Sequence, residues 1–331
     1  MKRKTITLFL IFATVMTLAA CAPRSRDAMK KCDRAGSLFL VAGFDDAAEN
    51  TDVLFTVGYD PAINTAYVAQ IPRDTYFQFG KGQNKINQIY ATARAEGMSA
   101  DDAMKHTAAL ISDAFGTSFD GYVAIGISTF RKIVDAIGGL DIELSSDMNI
   151  SVEDGKEIIL RKGKNHISGE VAEAFVRFRS GYALGDLGRM DAQKLFLNAL
   201  FKKLSGGLTF PELLRVGTTF YKDVVTDIKL TDALSLVRES LTSDIERHSI
   251  YATVPGEAIN YKNISFYVLN RKSAAEMAVR YMFADRELDS ELRFCNGNDE
   301  IFKDVYYDDT IGIREYRDDN VTDINITPKR N

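Results

Sequence analysis

Segment 176–194 reads VRFRSGYALGDLGRMDAQK and places Arg177, Arg179 and Arg189 within thirteen positions, among Gly181, Gly185 and Gly188 and ahead of Gln193. Guanidinium forks bind phosphate oxygens in pairs, and a helix start attracts anions. If FVRFR is extended, Arg177 and Arg179 share one face. Arg189 and Gln193, four apart, share a face at the start of the helix that follows. The glycines let the backbone approach a ligand closely. This is a segment suited to gripping an anion.

Two further sets of residues fit the same chemistry. Asp45 lies in GFDD (43–46), after one short apolar run, and Asp52 opens the next. Two carboxylates at neighbouring strand ends suit Mg²⁺, which takes one or two carboxylates and completes its shell with phosphate oxygens. Ile71-Pro72-Arg73-Asp74-Thr75 closes a third apolar run, and the carboxyl ends of strands are where α/β sheets hold ligands. Mg²⁺ with several arginines makes a site of pyrophosphate size.

Other chemistries lack support. His106, His166 and His248 stand in unrelated segments without a nucleophile elbow. GKGQNK (80–85) lacks the phosphate-loop order and reads as a polar loop. There is no dinucleotide fingerprint and no zinc-type Cys/His spacing. The formal charge of −5 argues against a nucleic-acid partner.

The elements that must position these residues read from periodicity. SLFLVAGFD, DVLFTVGYD and TAYVAQIP are strands, bounded by Gly, Asn, Asp and Pro. KINQIYATARAEG and ADDAMKHTAALISDAFG have helical spacing, the second with acids in its first turn. GYVAIGI is a strand, STFRKIVDAIGG a helix capped by Ser128, and LDIEL a strand. A hairpin around EDGKEIIL precedes a helix from SGEVAEAF, and LGRMDAQKLFLNALFKKL is an amphipathic helix closing at Gly206-Gly207. Helices near 210–218, 230–243 and 271–284 and strands near 248–254 and 265–270 complete one α/β domain over 37–285. The extension 286–331 is acidic, with nine acids against three bases over 298–323, and its pattern predicts partial order at best.

The chain starts with Lys2, Arg3 and Lys4, a short apolar run from Leu8 to Leu18, and Ala19-Ala20-Cys21. These are the parts of a secretory signal. The cysteine directly after Leu-Ala-Ala resembles a bacterial lipoprotein signal. Residues 1–20 are then the signal, Cys21 the lipidated residue, and 21–36 a polar tether to the outer face of the membrane. Losing the three N-terminal cations takes the charge to −8. Cys32 and Cys295 are left as one pair that an oxidising compartment would allow to bond.

The ordered set GFD, TD, IPRDT, KIN and VRFRSGYALGDLGRMDAQ, with VPGEAI and SFYVLNRKSA further on, resembles the LytR-CpsA-Psr proteins over residues 37–284. That resemblance implies a single α/β (α+β) domain with a central mixed β-sheet, flanking helices and an apolar groove for a polyprenyl chain. It implies a Mg²⁺-dependent phosphotransferase outside the cytoplasmic membrane. Such an enzyme passes an anionic glycopolymer, of teichoic-acid or capsule type, from a polyprenyl-pyrophosphate carrier to peptidoglycan. On this chain the family's metal-site aspartates fall on Asp45 and Asp52. Its pyrophosphate-binding residues fall on Arg73, Arg177, Arg179, Arg189 and Gln193. Asp74 and Asp186 match aspartates that orient arginines or act as base, so the catalytic set is Arg73, Asp74, Arg177, Arg179 and Asp186. Lys85 and Asn87 fall on the KIN segment, either structural or at the mouth of the groove, with Lys85 a further contact to pyrophosphate.

Two positions depart from the family's commoner pattern. Asn50 and Ala192 stand where many members carry arginine, which removes two positive charges from the anion site. The alternatives to transfer are hydrolysis of the polyprenyl pyrophosphate at the same site, or a non-catalytic lipoprotein that binds wall polymer or regulates.

Overall fold

A computed structural model of the chain describes residues 36–45, 50–60, 62–80, 83–152, 155–178, 186–206, 208–229, 231–232, 248–284 and 302–317. Cys21, Cys32, Cys295, Arg179 and most of 230–243 lie outside them, and with them the expected lipid anchor, disulfide and helix.

The sheet grows from a central meander. Strands β1 (Ser37–Phe44), β2 (Thr51–Asp60) and β3 (Thr65–Gln70) pair antiparallel in sequence. On β1, Leu38, Leu40, Ala42 and Phe44 enter one core while Phe39 and Val41 enter another. Burial on both faces explains why the run is apolar without interruption. The hairpin β4 (Tyr76–Gly80) and β5 (Gln83–Lys85) follows, then helices α1 (Gln88–Ala95) and α2 (Ala100–Phe115). The stretch read as a polar loop at 80–85 thus carries this hairpin, with Gly80 opposite Gln83.

Strand β6 (Gly121–Gly126) lies parallel to β1 and leads into α3 (Ile127–Ala136). The N-cap of α3 is Gly126 rather than Ser128, because the strand runs directly into the helix. Next come β7 (Leu140–Leu144), β8 (Met148–Ser151), β9 (Glu157–Leu160) and β10 (Gly163–Ile167), pairing β7 with β10 and β8 with β9. Helices α4 (Gly169–Arg177), α5 (Asp186–Gly206) and α6 (Phe210–Phe220) precede strand β11 (Val224–Thr226). Strands β12 (His248–Thr253), β13 (Gly256–Tyr261) and β14 (Ile264–Leu269) lead to α7 (Arg271–Met282). The short helix α8 (Lys303–Tyr306) and strand β15 (Glu315–Arg317) come last.

Among the described residues the main sheet has seven strands in the order β11-β6-β1-β2-β3-β12-β15. Strand β12 is parallel to β3, while β11 and β15 run antiparallel at the edges. Helices α3 to α6 and the two-stranded sheets β7–β10 and β8–β9 cover one face of this mixed sheet; α1, α2 and α7 cover the other. Strands β1, β3, β6 and β12 therefore point their carboxyl ends to a single edge of the sheet.

Within the acidic extension, residues 302–317 pack onto the domain. Phe302, Val305 and Tyr306 bury against Tyr76, Phe266 and Val268 in a third small core. The Asn270 side chain donates to the carbonyls of Val305 (2.9 Å) and Asp308 (2.7 Å). Strand β15 then pairs with β12, Tyr316 opposite Tyr251.

Helix α5 also differs from expectation. It is buried on nearly every side between Gly188 and Asn198, Lys194 included, rather than amphipathic. It packs against β7 and beside α4, and the Tyr316 ring of β15 lies over Lys194.

Candidate functional site

The site forms where β1 ends and β2 begins. Gly43 pairs with Val53 and Phe44 with Thr51, so Asp52 is the extra residue of a β-bulge. Bulges re-aim a side chain beside functional sites. This one brings Asp52 to the same strand end as Asp45, and both line one cavity. Gly43 lines it too, and a Cβ there would stand 3.3 Å from that of Val53, tighter than an ordinary packing contact.

The cavity has a volume of about 320 Å³, in the range of small-ligand sites. Its walls are apolar along the strands, at Val41, Phe55 and Ile125, and on the helices, at Phe130, Phe196 and Leu197. Its polar lining is Asp45, Asp52, Arg177, Arg189 and Gln193. Five residues singled out from sequence thus converge on one space.

Arg73 joins them through Asp52, its Nη1 2.5 Å from the carboxylate Oδ1. The turn that carries it is pinned on several sides. The Thr75 amide and hydroxyl both donate to the Pro72 carbonyl, at 3.0 and 2.6 Å. The Asn87 amide donates to the Arg73 carbonyl (3.3 Å), and the Thr51 amide donates to that of Asn87 (3.2 Å). Asn87 therefore links the turn of Arg73 to the strand start of Asp52. Asp74 accepts from Lys85 Nζ at 2.8 Å and lies 3.9 Å from Arg73 Nε. Lys85 is bound to Asp74 and sits over the Phe266 ring, outside the lining of the cavity.

Arg177 is the last residue of α4, a helix and not the extended strand considered for FVRFR. Its Nη1 donates to Glu173 Oε1 at 2.8 Å, and Glu173 also takes Arg131 at 3.4 Å. Burying Ala172 and Phe175 against the core favours the helical period there over a two-residue alternation. Arg189 is buried, a costly place for a charge without compensation, and it lines the same cavity as Asp45 and Asp52. Asp186 opens α5.

Gln193 Nε2 donates to the Val176 carbonyl (3.1 Å), and its Oε1 accepts from Gln70 Nε2 (2.5 Å). Gln70 and Glu173 were not anticipated as supports. Gln70 does carry a signal, as the polar residue ending the otherwise apolar strand TAYVAQ. Beside Gln193, burial pushes the Lys194 ammonium below its usual pKa, while Asp191 Oδ1 at 2.8 Å works the other way. Ala192 is fully buried in the core and does not line the cavity.

Asp45 and Asp52 are hard oxygen donors on adjacent strands facing one cavity, a set that fits Mg²⁺ completed by substrate phosphate. Among the described residues no group of three or more His, Cys, Asp or Glu forms a self-sufficient metal cage. None of the described helices is long and apolar enough to cross a membrane.

Known proteins share this arrangement of elements. The crystal structure of Bacillus subtilis TagV has a TM-score of 0.61 at 24% identity, covering 78% of this chain and 100% of that one. The structure of TagT bound to LIIa-WTA has a TM-score of 0.60 at 21% identity, covering 80% and 96%. These likenesses establish the fold. By sequence, TagV of B. subtilis (strain 168), a polyisoprenyl-teichoic acid–peptidoglycan teichoic acid transferase, is 28% identical over 208 residues, 60% of this chain and 51% of TagV. TagU of Bacillus anthracis, named for the same transfer, is 31% identical over 210 residues, 62% of this chain and 60% of TagU. The match thus spans roughly half to three-fifths of these relatives. A family model matches residues 19–281, a stretch that carries both aspartates, the pinned Arg73 turn and the cavity face of α5; the chain belongs to the LytR_cpsA_psr family.

Proposed function

We propose that this chain is a Mg²⁺-dependent phosphotransferase that moves an anionic glycopolymer, of teichoic-acid or capsule type, from a polyprenyl-pyrophosphate carrier to peptidoglycan. The observation that carries this reading is a single cavity with apolar walls along the strands and two carboxylates, two arginines and a glutamine in its lining. That is the chemistry of an isoprenoid tail joined to a pyrophosphate head. The names of TagV and TagU, and TagT bound to LIIa-WTA, support the same substrate class.

In this mechanism the isoprenes nearest the pyrophosphate lie against Val41, Phe55 and Phe196. Arg73, Arg177, Arg179, Arg189 and Gln193 hold the phosphate oxygens. Asp74, engaged by Lys85 and close to Arg73, orients the Arg73 fork. Asp45 and Asp52 would hold Mg²⁺, which supplies Lewis-acid stabilisation of phosphate charge. The acceptor hydroxyl attacks the sugar-linked phosphorus, the bond to the bridging oxygen breaks, and polyprenyl phosphate leaves. Its growing charge is met by guanidinium donors already in place. Asp186 is the candidate to take the hydroxyl's proton.

The N-terminal pattern supports a site of action at the extracytoplasmic face of the membrane, with signal 1–20 removed, Cys21 lipidated and 21–36 as tether. Product analysis tests the function. The chain is incubated with a lipid-linked glycopolymer, peptidoglycan and Mg²⁺. A peptidoglycan-linked phosphodiester supports the transferase. Free sugar phosphate points instead to a hydrolase, and retained, unreacted glycopolymer to a binding or regulatory lipoprotein.

A further inference from the structure

We propose that edge strand β15 of the C-terminal extension positions the anion-binding face of α5, with Tyr316 acting through the buried Asp191–Lys194 pair. This rests on the proposed function for what the α5 face binds, and it assigns roles to residues that the site itself does not use.

Helix α5 presents two side-chain pairs. Arg189 and Gln193 face the cavity. Asp191 and Lys194 are three apart, and at 3.6 residues per turn their side of the helix lies about 150° around from the first pair. The Lys194 side chain is only 4% exposed. An ammonium that deep is tolerated only with a partner, and Asp191 Oδ1 stands 2.8 Å from its Nζ. The cover over this pair is aromatic, since Lys194 Nζ lies 5.4 Å from the centroid of the Tyr316 ring.

Tyr316 comes from outside the span matched by the family. It is held in register opposite Tyr251 of β12. Strand β12 in turn pairs with β3, placing Thr253 beside Gln70, the residue that grips Gln193. The sheet thus holds α5 at two points around its axis, Gln70 on the cavity side and Tyr316 on the far side. A buried charge pair has few satisfactory arrangements, so it resists rotation of the helix that carries it. Removing the Tyr316 ring opens Lys194 to water and lets α5 turn, which moves Arg189 and Gln193 off the phosphates. Tyr316, Asp191 and Lys194 are positioning residues.

The test uses the full chain in detergent micelles with two probes, geranylgeranyl pyrophosphate with Mg²⁺ and geranylgeraniol, which has the tail without the phosphates. Wild type binds the pyrophosphate more tightly than the alcohol. Tyr316→Ala weakens pyrophosphate binding about tenfold to a hundredfold, the scale expected of misplaced contact groups, and leaves alcohol binding unchanged. Tyr316→Phe restores pyrophosphate binding, because the ring face covers Lys194. Lys194→Met, which keeps the buried volume, gives the same selective loss and serves should Tyr316→Ala fail to fold. Equal loss for both probes, or no loss for either, overturns the positioning role. A wild type that shows no preference for the pyrophosphate overturns the proposed function, and the positioning role with it.

Discussion

Arg73 Nη1 lies 2.5 Å from Oδ1 of Asp52, so the guanidinium proposed to grip a phosphate also holds the carboxylate proposed to bind a metal. Asp52 lines the cavity, and Arg73 is tied to it through this contact. Arg73→Ala should lower transfer at least about a hundredfold, the usual scale for losing one donor to developing charge. Thermal stability should change by less than about 1 kcal/mol, because the pair is partly open to solvent. Arg73→Lys should not rescue, since an ammonium lacks the planar fork. Transfer rates and thermal melts on the three proteins check this.

Gln70, Gln193 and the Val176 carbonyl form a buried relay that links β3, α5 and the end of α4. Gln193→Leu strands two polar groups and should cost about 1–3 kcal/mol. Gln70→Leu combined with Gln193→Leu should cost less than the two single changes summed, since neighbours in one network are not additive. Urea unfolding of the four proteins measures the coupling.

The apolar part of the cavity makes its own prediction. Ile127 lines it from the first position of α3 and is only half-buried. Ile127→Trp should narrow the groove and raise KM for a long polyprenyl carrier about tenfold, while overpacking costs about 1–3 kcal/mol at most. Binding of inorganic pyrophosphate with Mg²⁺ should be unchanged. Parallel weakening of both would place the tail somewhere else.

Far from the cavity, Asp101 accepts from Lys105 and Tyr122, and these bonds hold its carboxyl below the usual pKa. A depressed acid contributes stability that is present above its unfolded value of 3.8 and is lost as pH falls through the lowered one. Asp101 is half exposed, so the contribution stays below about 1 kcal/mol. Melting temperatures followed from neutral to strongly acidic pH should drop more for wild type than for Asp101→Asn.

The central strands and the site's main residues were legible because local pattern determines them. Apolar runs such as SLFLVAGF are buried on both faces, and Asp45, Asp52 and Arg73 follow from where such runs begin and end. What escaped depends on distant pairing. The bulge that frees Asp52 exists only in the register of β1 against β2. FVRFR allowed an extended reading until the burial of Phe175 showed a helix ending at Arg177. Lys194 belongs to a helix read as amphipathic, yet it is interior, with the Tyr316 ring of β15 over its ammonium. That strand is three residues of Glu, Tyr and Arg, with no pattern of its own to announce it.

The proposed function requires that this cavity seat a polyprenyl pyrophosphate. A crystal structure of the chain with such a ligand and Mg²⁺ tests it most directly. The expected complex has the tail against Val41, Phe55 and Phe196, phosphate oxygens on Arg73 and Arg189, and the metal on Asp45 and Asp52. A pyrophosphate bound away from those arginines, or a tail lying outside the groove, would contradict it.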